Sequence, residues 1–159
     1  MNNVIRSTKA GNNDWSIEDY TNEIGKNPRC PDTYNNRGVL YYGLGDYDKA
    51  LTDFQEAKRK SQESEIFDYN CGLAYFYCSR YSESIASLEK AIRIFKGLIS
   101  DSKVMVPALL SSYYYCGLSH FHKGENDLAI INLQEAELLC PNNQEIIQAL
   151  NDVKNALNK

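Results

Sequence analysis

Apolar residues recur through most of the chain at intervals of three and four, the spacing that gathers them on one face of an α-helix. Tyr47, Ala50, Leu51, Phe54 and Ala57 form one such stripe, and Ile146, Ile147, Leu150, Val153 and Leu157 form another. Trp15, Ile17, Tyr20 and Ile24 repeat the pattern near the start. Pro31 to Gly43 reads as a helix that Gly45 and Asp46 break, with Asp46 placed to cap the helix that follows. The pattern predicts seven or more helices in antiparallel pairs and no sheet.

The stripes repeat. Gly38 and Gly72 lie 34 residues apart, and so do Tyr41 and Tyr75, Tyr47 and Tyr81, Phe54 and Leu88, and Ala57 and Ala91. A fixed period of this size marks a stack of supersecondary units, each too small to bury its apolar face alone. A third copy starts at Tyr113 to Gly117 and continues through Gly124, Ala129, Leu133, Ala136 and Pro141. Gly72 and Gly117 are 45 residues apart, eleven more than the period, so the second unit carries an 11-residue insertion. Ala91, Ile92, Ile94, Phe95, Leu98 and Ile99 carry one stripe into it. Val104, Val106, Leu109 and Leu110 lead out, and Ser100 to Lys103 between them is polar. The insertion therefore lengthens both helices of one hairpin, with Pro107 in a first helical turn. It either enlarges the core or builds a protruding platform. Gly72 and Gly117 are expected where two helices approach closely.

These residues resemble the tetratricopeptide repeat. The first unit carries the pattern as Tyr34, Gly38, Tyr41, Gly45, Tyr47, Ala50, Phe54 and Ala57. In the second, Ser84 replaces the usual alanine; in the third, His120 replaces the tyrosine and Asn126 the aromatic. The resemblance implies an all-α fold, a right-handed α-solenoid of antiparallel helix pairs. It has three units, a partial N-terminal repeat and a C-terminal capping helix, which shields the apolar face of the last unit. The expected divisions are a flexible segment at 1–13, a partial repeat at 14–30, repeats at 31–64, 65–109 and 110–143, and the capping helix at 144–159.

In this family the first helix of each pair lines the inner face. Carrying that register over puts Asp32, Asn35, Asn36, Val39, Tyr42 and Gly43 there in the first unit. Ile66, Tyr69, Asn70, Leu73, Phe76 and Tyr77 follow in the second, and Ser111, Tyr114, Tyr115, Leu118, Phe121 and His122 in the third. Asn36 and Asn70 sit one period apart, and a carboxamide can pair with any peptide backbone because it both donates and accepts. Tyr42, Phe76 and Phe121 share one register site, with Tyr69, Tyr77, Tyr114 and Tyr115 nearby; aromatics of this kind are enriched at interfaces, although such stripes also form cores. The peptide-binding set expected is thus Asn36, Tyr42, Tyr69, Asn70, Phe76, Tyr77, Tyr114, Tyr115, Phe121 and His122. Chaperone co-factors of this family hold a C-terminal carboxylate with lysines and an arginine. The matching sites here are Asn35, Val39, Asn70, Ser111 and Tyr115, which argues against binding a heat-shock chaperone tail, since an uncompensated buried carboxylate is costly.

Composition narrows the rest. The chain has 159 residues, a net charge of −4 and 12 tyrosines. The acidic balance argues against nucleic acid or an anionic membrane surface as partner. Lys58 to Lys60 is the only dense basic run; Glu63 and Glu65 follow it, so it reads as a solvated helix end. No run is long enough to span a bilayer, and the polar start lacks the apolar core of a signal peptide. Five cysteines without a C-x-x-C pair point to reduced thiols in a cytoplasmic setting and away from zinc. Cys71 and Cys116 read as small core residues. His120 and His122, two apart, do not share a helix face and so make no metal pair; His120 reads as a core histidine. Ser111, Ser112 and the Glu18-Asp19 pair lack any catalytic setting, and no phosphate-binding or dinucleotide motif is present. The expectation is a non-enzymatic adaptor or scaffold without cofactor or metal, binding a neutral or apolar protein segment in its concave groove. The alternatives are a structural subunit of a larger assembly and a small chaperone of a client protein.

Overall fold

The computed structural model describes residues 4–6, 14–61, 65–98 and 106–157. Eight α-helices follow one another among them, with no strand: α1 (Ile17–Lys26), α2 (Pro31–Gly43), α3 (Tyr47–Lys60), α4 (Glu65–Tyr77), α5 (Tyr81–Leu98), α6 (Val106–His122), α7 (Asn126–Leu139) and α8 (Gln144–Leu157). Local chemistry sets the ends. Ser16 and Asp19 form a reciprocal capping box at α1. Pro31 occupies the first turn of α2, and the Asp46 carboxylate accepts from the Lys49 N–H at the start of α3.

The hairpins α2–α3, α4–α5 and α6–α7 close with the same turn. After α2, Asp46 N–H donates to the Tyr41 carbonyl and Gly45 N–H to Tyr42, the two bonds of a Schellman motif. The pattern recurs at Ser79 and Arg80, and at Gly124 and Glu125. The motif places one residue in the left-handed region, and φ is +79° at Gly45, +76° at Gly124 and +58° at Ser79. The second unit thus carries a side chain where the others carry glycine, at a cost of roughly 1–2 kcal/mol.

Helix pairs meet over the repeat glycines. A Cβ on Gly38 would stand 2.7 Å from the Phe54 ring, one on Gly72 2.6 Å from Leu88, and one on Gly117 2.8 Å from Leu133. Any side chain there would push the pair apart. Ser84, in place of the usual alanine, is buried, and its hydroxyl donates to the Gly72 carbonyl at 2.8 Å.

Each helix packs on its neighbours in sequence, and α6 also touches α4 and α8, so the first helices of the pairs line one face of the stack. The core runs continuously from Val39, Phe54 and Leu73 through Leu88, Phe95 and Leu109 to Leu133, Leu150 and Val153. In the lengthened hairpin, α5 has 18 residues and α6 has 17, against 14 and 13 in α3 and α4. Phe95 and Leu109 are buried in these extensions, so there the insertion enlarges the core; Leu98 stays exposed. Ile99 to Val104 lie outside the described residues. The third pair opens at Val106, ahead of the expected boundary at 110. Within the segment expected to be flexible, residues 4–6 are held against the stack, with Val4 buried.

Candidate functional site

Side chains seven apart on a helix share a face, and this spacing builds the inner wall. Asn35 and Tyr42 lie on α2, Asn70 and Tyr77 on α4, and Tyr114 and Phe121 on α6. Three zones follow one another along it.

The first holds a piece of the chain itself. The Ile5 N–H donates to Asn70 Oδ1 at 2.9 Å, and Asn70 Nδ2 donates back to the Ile5 carbonyl at 2.7 Å. Asn35 Nδ2 donates to the same carbonyl at 3.1 Å, and Asn70 Nδ2 also donates to Asn35 Oδ1 at 2.8 Å. One carboxamide thus reads both polar groups of one residue, which requires its N–H and C=O to point the same way, as in a strand. Asn35 and Asn70 are fully buried, and their amides leave no lone group behind. Val4 packs into the core cluster and Ile5 against it.

The second zone is an aromatic ladder. The Tyr42 ring meets Tyr47 and Tyr77 edge-on, and Tyr47 and Tyr77 stack at 4.5 Å. Phe76 meets Tyr115 at 5.0 Å, and the Tyr77 and Tyr115 hydroxyls share a 2.9 Å hydrogen bond. Burial, together with the neighbouring phenols, raises the Tyr42 pKa far above the usual tyrosine value. His122 stacks on Tyr81 at 4.6 Å at its edge.

The third zone is open. A cleft of about 730 Å³ lies between Tyr77, Tyr114, Tyr115 and the start of α8. A second cleft, of about 620 Å³, continues it past Leu118 and Phe121 to Gln148 and Asp152. Glu145 lines both, and neither is lined by a lysine or arginine.

Models of the tetratricopeptide repeat match residues 31–62 and 69–96. The chain carries tetratricopeptide repeats at these positions. It is 27% identical over 79 residues to a small glutamine-rich tetratricopeptide repeat-containing protein 2 of Mycosarcoma maydis, covering 50% of this chain and 22% of that one. It is 26% identical over 113 residues to the TPR repeat-containing protein MJ1428 of Methanocaldococcus jannaschii, covering 71% and 18%. The chain thus spans about a fifth of the length of these relatives. Among solved structures it resembles MamA from Desulfovibrio magneticus RS-1, with TM-score 0.78, 19% identity and coverage of 89% and 74%. It also resembles the first repeat domain of Spaghetti (RPAP3) bound to an HSP90 peptide, with TM-score 0.68, 18% identity and coverage of 82% and 95%. Tetratricopeptide repeats are known as protein-interaction scaffolds.

The repeat register puts most of the expected residues on the inner face, with two exceptions. Asn36 is buried behind Asn35, which donates to its Oδ1 at 3.4 Å, and it bonds the Tyr20 phenol of α1. Asn35, one residue earlier, takes the place expected of Asn36 beside Asn70. A period of 34 aligns Asn36 with Asn70, but the amides that meet across α2 and α4 are 35 apart. Tyr69 is likewise core: its ring packs edge-on against Phe95, and burial pushes its pKa up to about 12. The lengthened α5 covers it, which the period alone does not reveal. The ordered residues 4–6 had no signal beyond two aliphatics in a polar stretch.

The basic run at Lys58 to Lys60 is paired rather than merely solvated. Lys58 reaches buried Asp68 at 2.5 Å, while Arg59 and Lys60 hold Glu56 at 2.8 and 3.0 Å. All five thiols are free, and Cys71 and Cys116 are buried. His120 is buried too, with Nδ1 2.6 Å from Glu125 Oε2. The spacings weighed in the sequence, the histidine pair and C-x-x-C, leave out Cys116 and His120, four apart on α6. Their ligating atoms and one of Glu89 lie within 4.8 Å of one another. Burial, with the Glu89 charge, pushes the Cys116 thiol up to about 12, so its proton stays on sulfur at neutral pH and competes with a cation. Among the described residues, no helix is long and apolar enough to cross a membrane.

Proposed function

We propose that this chain is a non-enzymatic adaptor that binds an uncharged, largely apolar protein segment along its concave face. The observation that carries the reading is the double pairing of Asn70 with the Ile5 backbone. Recognition through main-chain groups accepts many sequences, and the aromatic ladder beside it offers area for side chains at low entropic cost. Tyr42, Asn70, Phe76, Tyr77, Tyr114, Tyr115, Phe121 and His122 are the binding residues in this reading, with Asn35 in place of Asn36.

The charge of the open clefts supports a neutral segment over an acidic one. Glu145 and Asp152 put negative charge at the rim, and the sites matching the family's carboxylate clamp hold Asn35, Val39, Asn70, Ser111 and Tyr115. A chaperone tail would bring further carboxylates without cations to receive them. A net charge of −4 and ion-paired lysines favour protein over nucleic acid. Five free thiols favour a reducing, intracellular setting.

A second reading has its own observation. Leu128, Ile131 and Leu138 are exposed along the outer face of α7, an apolar stripe that suits a structural subunit packed in a larger assembly. Affinity capture from the native cell followed by mass spectrometry separates the two. Partners lost with Asn70→Ala and Phe76→Ala together, and kept with Ile131→Glu and Leu138→Glu, support the groove. The reverse pattern replaces the adaptor with the structural subunit.

A further inference from the structure

Residues 4–6 do inside the groove what a bound peptide would do. Both backbone polar groups of Ile5 are paired with groove amides, and Val4 is buried against the core. Only seven residues separate Arg6 from Asp14, at the edge of α1. Arg6 lies within electrostatic reach of Tyr20 on α1, so the chain enters the groove from its N-terminal end. The contacts are those of an interface. Asn70 spends two of its three side-chain hydrogen bonds on this one residue and Asn35 adds another, and neither amide caps a helix or joins a hairpin.

We propose that residues 4–6 are a tethered occupant of the peptide site, and that a partner binds by displacing them with a strand-like segment carrying an aliphatic pair in place of Val4 and Ile5. This rests on the groove reading above and adds to it the chemistry of the partner and a built-in competitor. A covalently attached segment competes at an effective concentration on the order of millimolar. A partner must therefore outbid it, and its measured affinity falls by the fraction of molecules in which the groove is open. Such a device rejects weak, nonspecific apolar segments, which the same groove would otherwise accept.

The test uses the full-length chain. A fluorescent synthetic peptide with the sequence of residues 1–8 is titrated into wild type and into V4D/I5D, whose aspartates cannot stay buried against the core. The double variant should bind the peptide at least tenfold more tightly than wild type, and adding Asn70→Ala should abolish that binding. Equal binding to wild type and V4D/I5D, binding to neither, or binding that survives Asn70→Ala would each overturn the proposal. Hydrogen exchange supplies a measurement that needs no variant: the Ile5 amide should exchange at least tenfold more slowly in the protein than in the free peptide. Exchange at the free-peptide rate would overturn the tether. A wild-type dimer in light scattering that V4D/I5D dissolves would also overturn it, in favour of a segment exchanged between two copies. The groove reading fails separately, on partner capture that persists in the Asn70→Ala and Phe76→Ala variant. If that capture is lost while V4D/I5D leaves partner affinity unchanged, the groove stands and the tether falls.

Discussion

The two ends of the concave face are built on the same scaffold and are in different states. At the N-terminal end, buried Asn35 and Asn70 are engaged by the chain's own Ile5. At the C-terminal end, Tyr114, Leu118 and Phe121 face clefts of about 620 and 730 Å³ whose amides, Gln144 and Gln148, are exposed. The difference teaches how one repeat architecture divides its labour. A buried amide must be satisfied, so it fixes backbone geometry and contributes to stability. An exposed amide is already satisfied by water, and only a partner gives it a role.

The shared scaffold is where the largest effects are expected. Gly72→Leu and Gly117→Leu each force a side chain into a space where a Cβ alone would stand 2.6 Å from Leu88 or 2.8 Å from Leu133. Each should cost about 3 kcal/mol, a fall of roughly 6–12 °C in melting temperature. A loss confined to one of the two would break the premise that both ends rest on equivalent packing.

Partner binding should then separate the ends. Phe76→Ala, at the junction, should weaken it by ~2 kcal/mol, as an aromatic anchor does. Phe121→Ala, in the open zone, should cost binding about 1 kcal/mol. Calorimetric titration with an identified partner measures both, and an unchanged affinity for Phe121→Ala would restrict the site to the first two repeats.

Stability without a partner should show the opposite asymmetry. Asn70→Ala leaves the Ile5 N–H and the Asn35 Oδ1 unpaired and should cost ~1–3 kcal/mol. Gln148 is exposed and bonds only Asp152 at 2.8 Å, so Gln148→Ala should stay within about 0.5 kcal/mol. Urea unfolding decides it; equal effects would remove the contrast between the two ends.

Ser79→Gly relieves the left-handed turn beneath the junction and should add ~1 kcal/mol without touching either end. A changed peptide affinity in that variant would mean that the turn, and not only the groove lining, shapes the site. The smallest effect concerns rates. Burial holds the Cys71 and Cys116 thiols up at about 12, so at pH 8 both are almost wholly protonated. Alkylation of the native protein should label Cys30 and Cys140 first, and rapid modification of Cys71 or Cys116 would show that the core opens more readily than its packing implies.

Much of this was legible in the residues. Period-34 glycines, helical stripes and Asp46 located the hairpins, because close packing and capping each need a specific residue at a specific place. The inner face was legible in outline, since the same register repeats. It failed at Asn36 and Tyr69, which depend on how far neighbouring helices are offset and how far α5 extends, quantities a period cannot carry.

The sequence by itself determined the helices, their turns and the order of their stacking, since these follow from local spacing and from contacts between neighbours in the chain. Only the tertiary structure decided that Asn35 rather than Asn36 meets Asn70, and that residues 4–6 lie in the groove. The Ile5 contact joins positions 65 apart through main-chain atoms, which are the same in every residue and therefore leave no mark in a sequence.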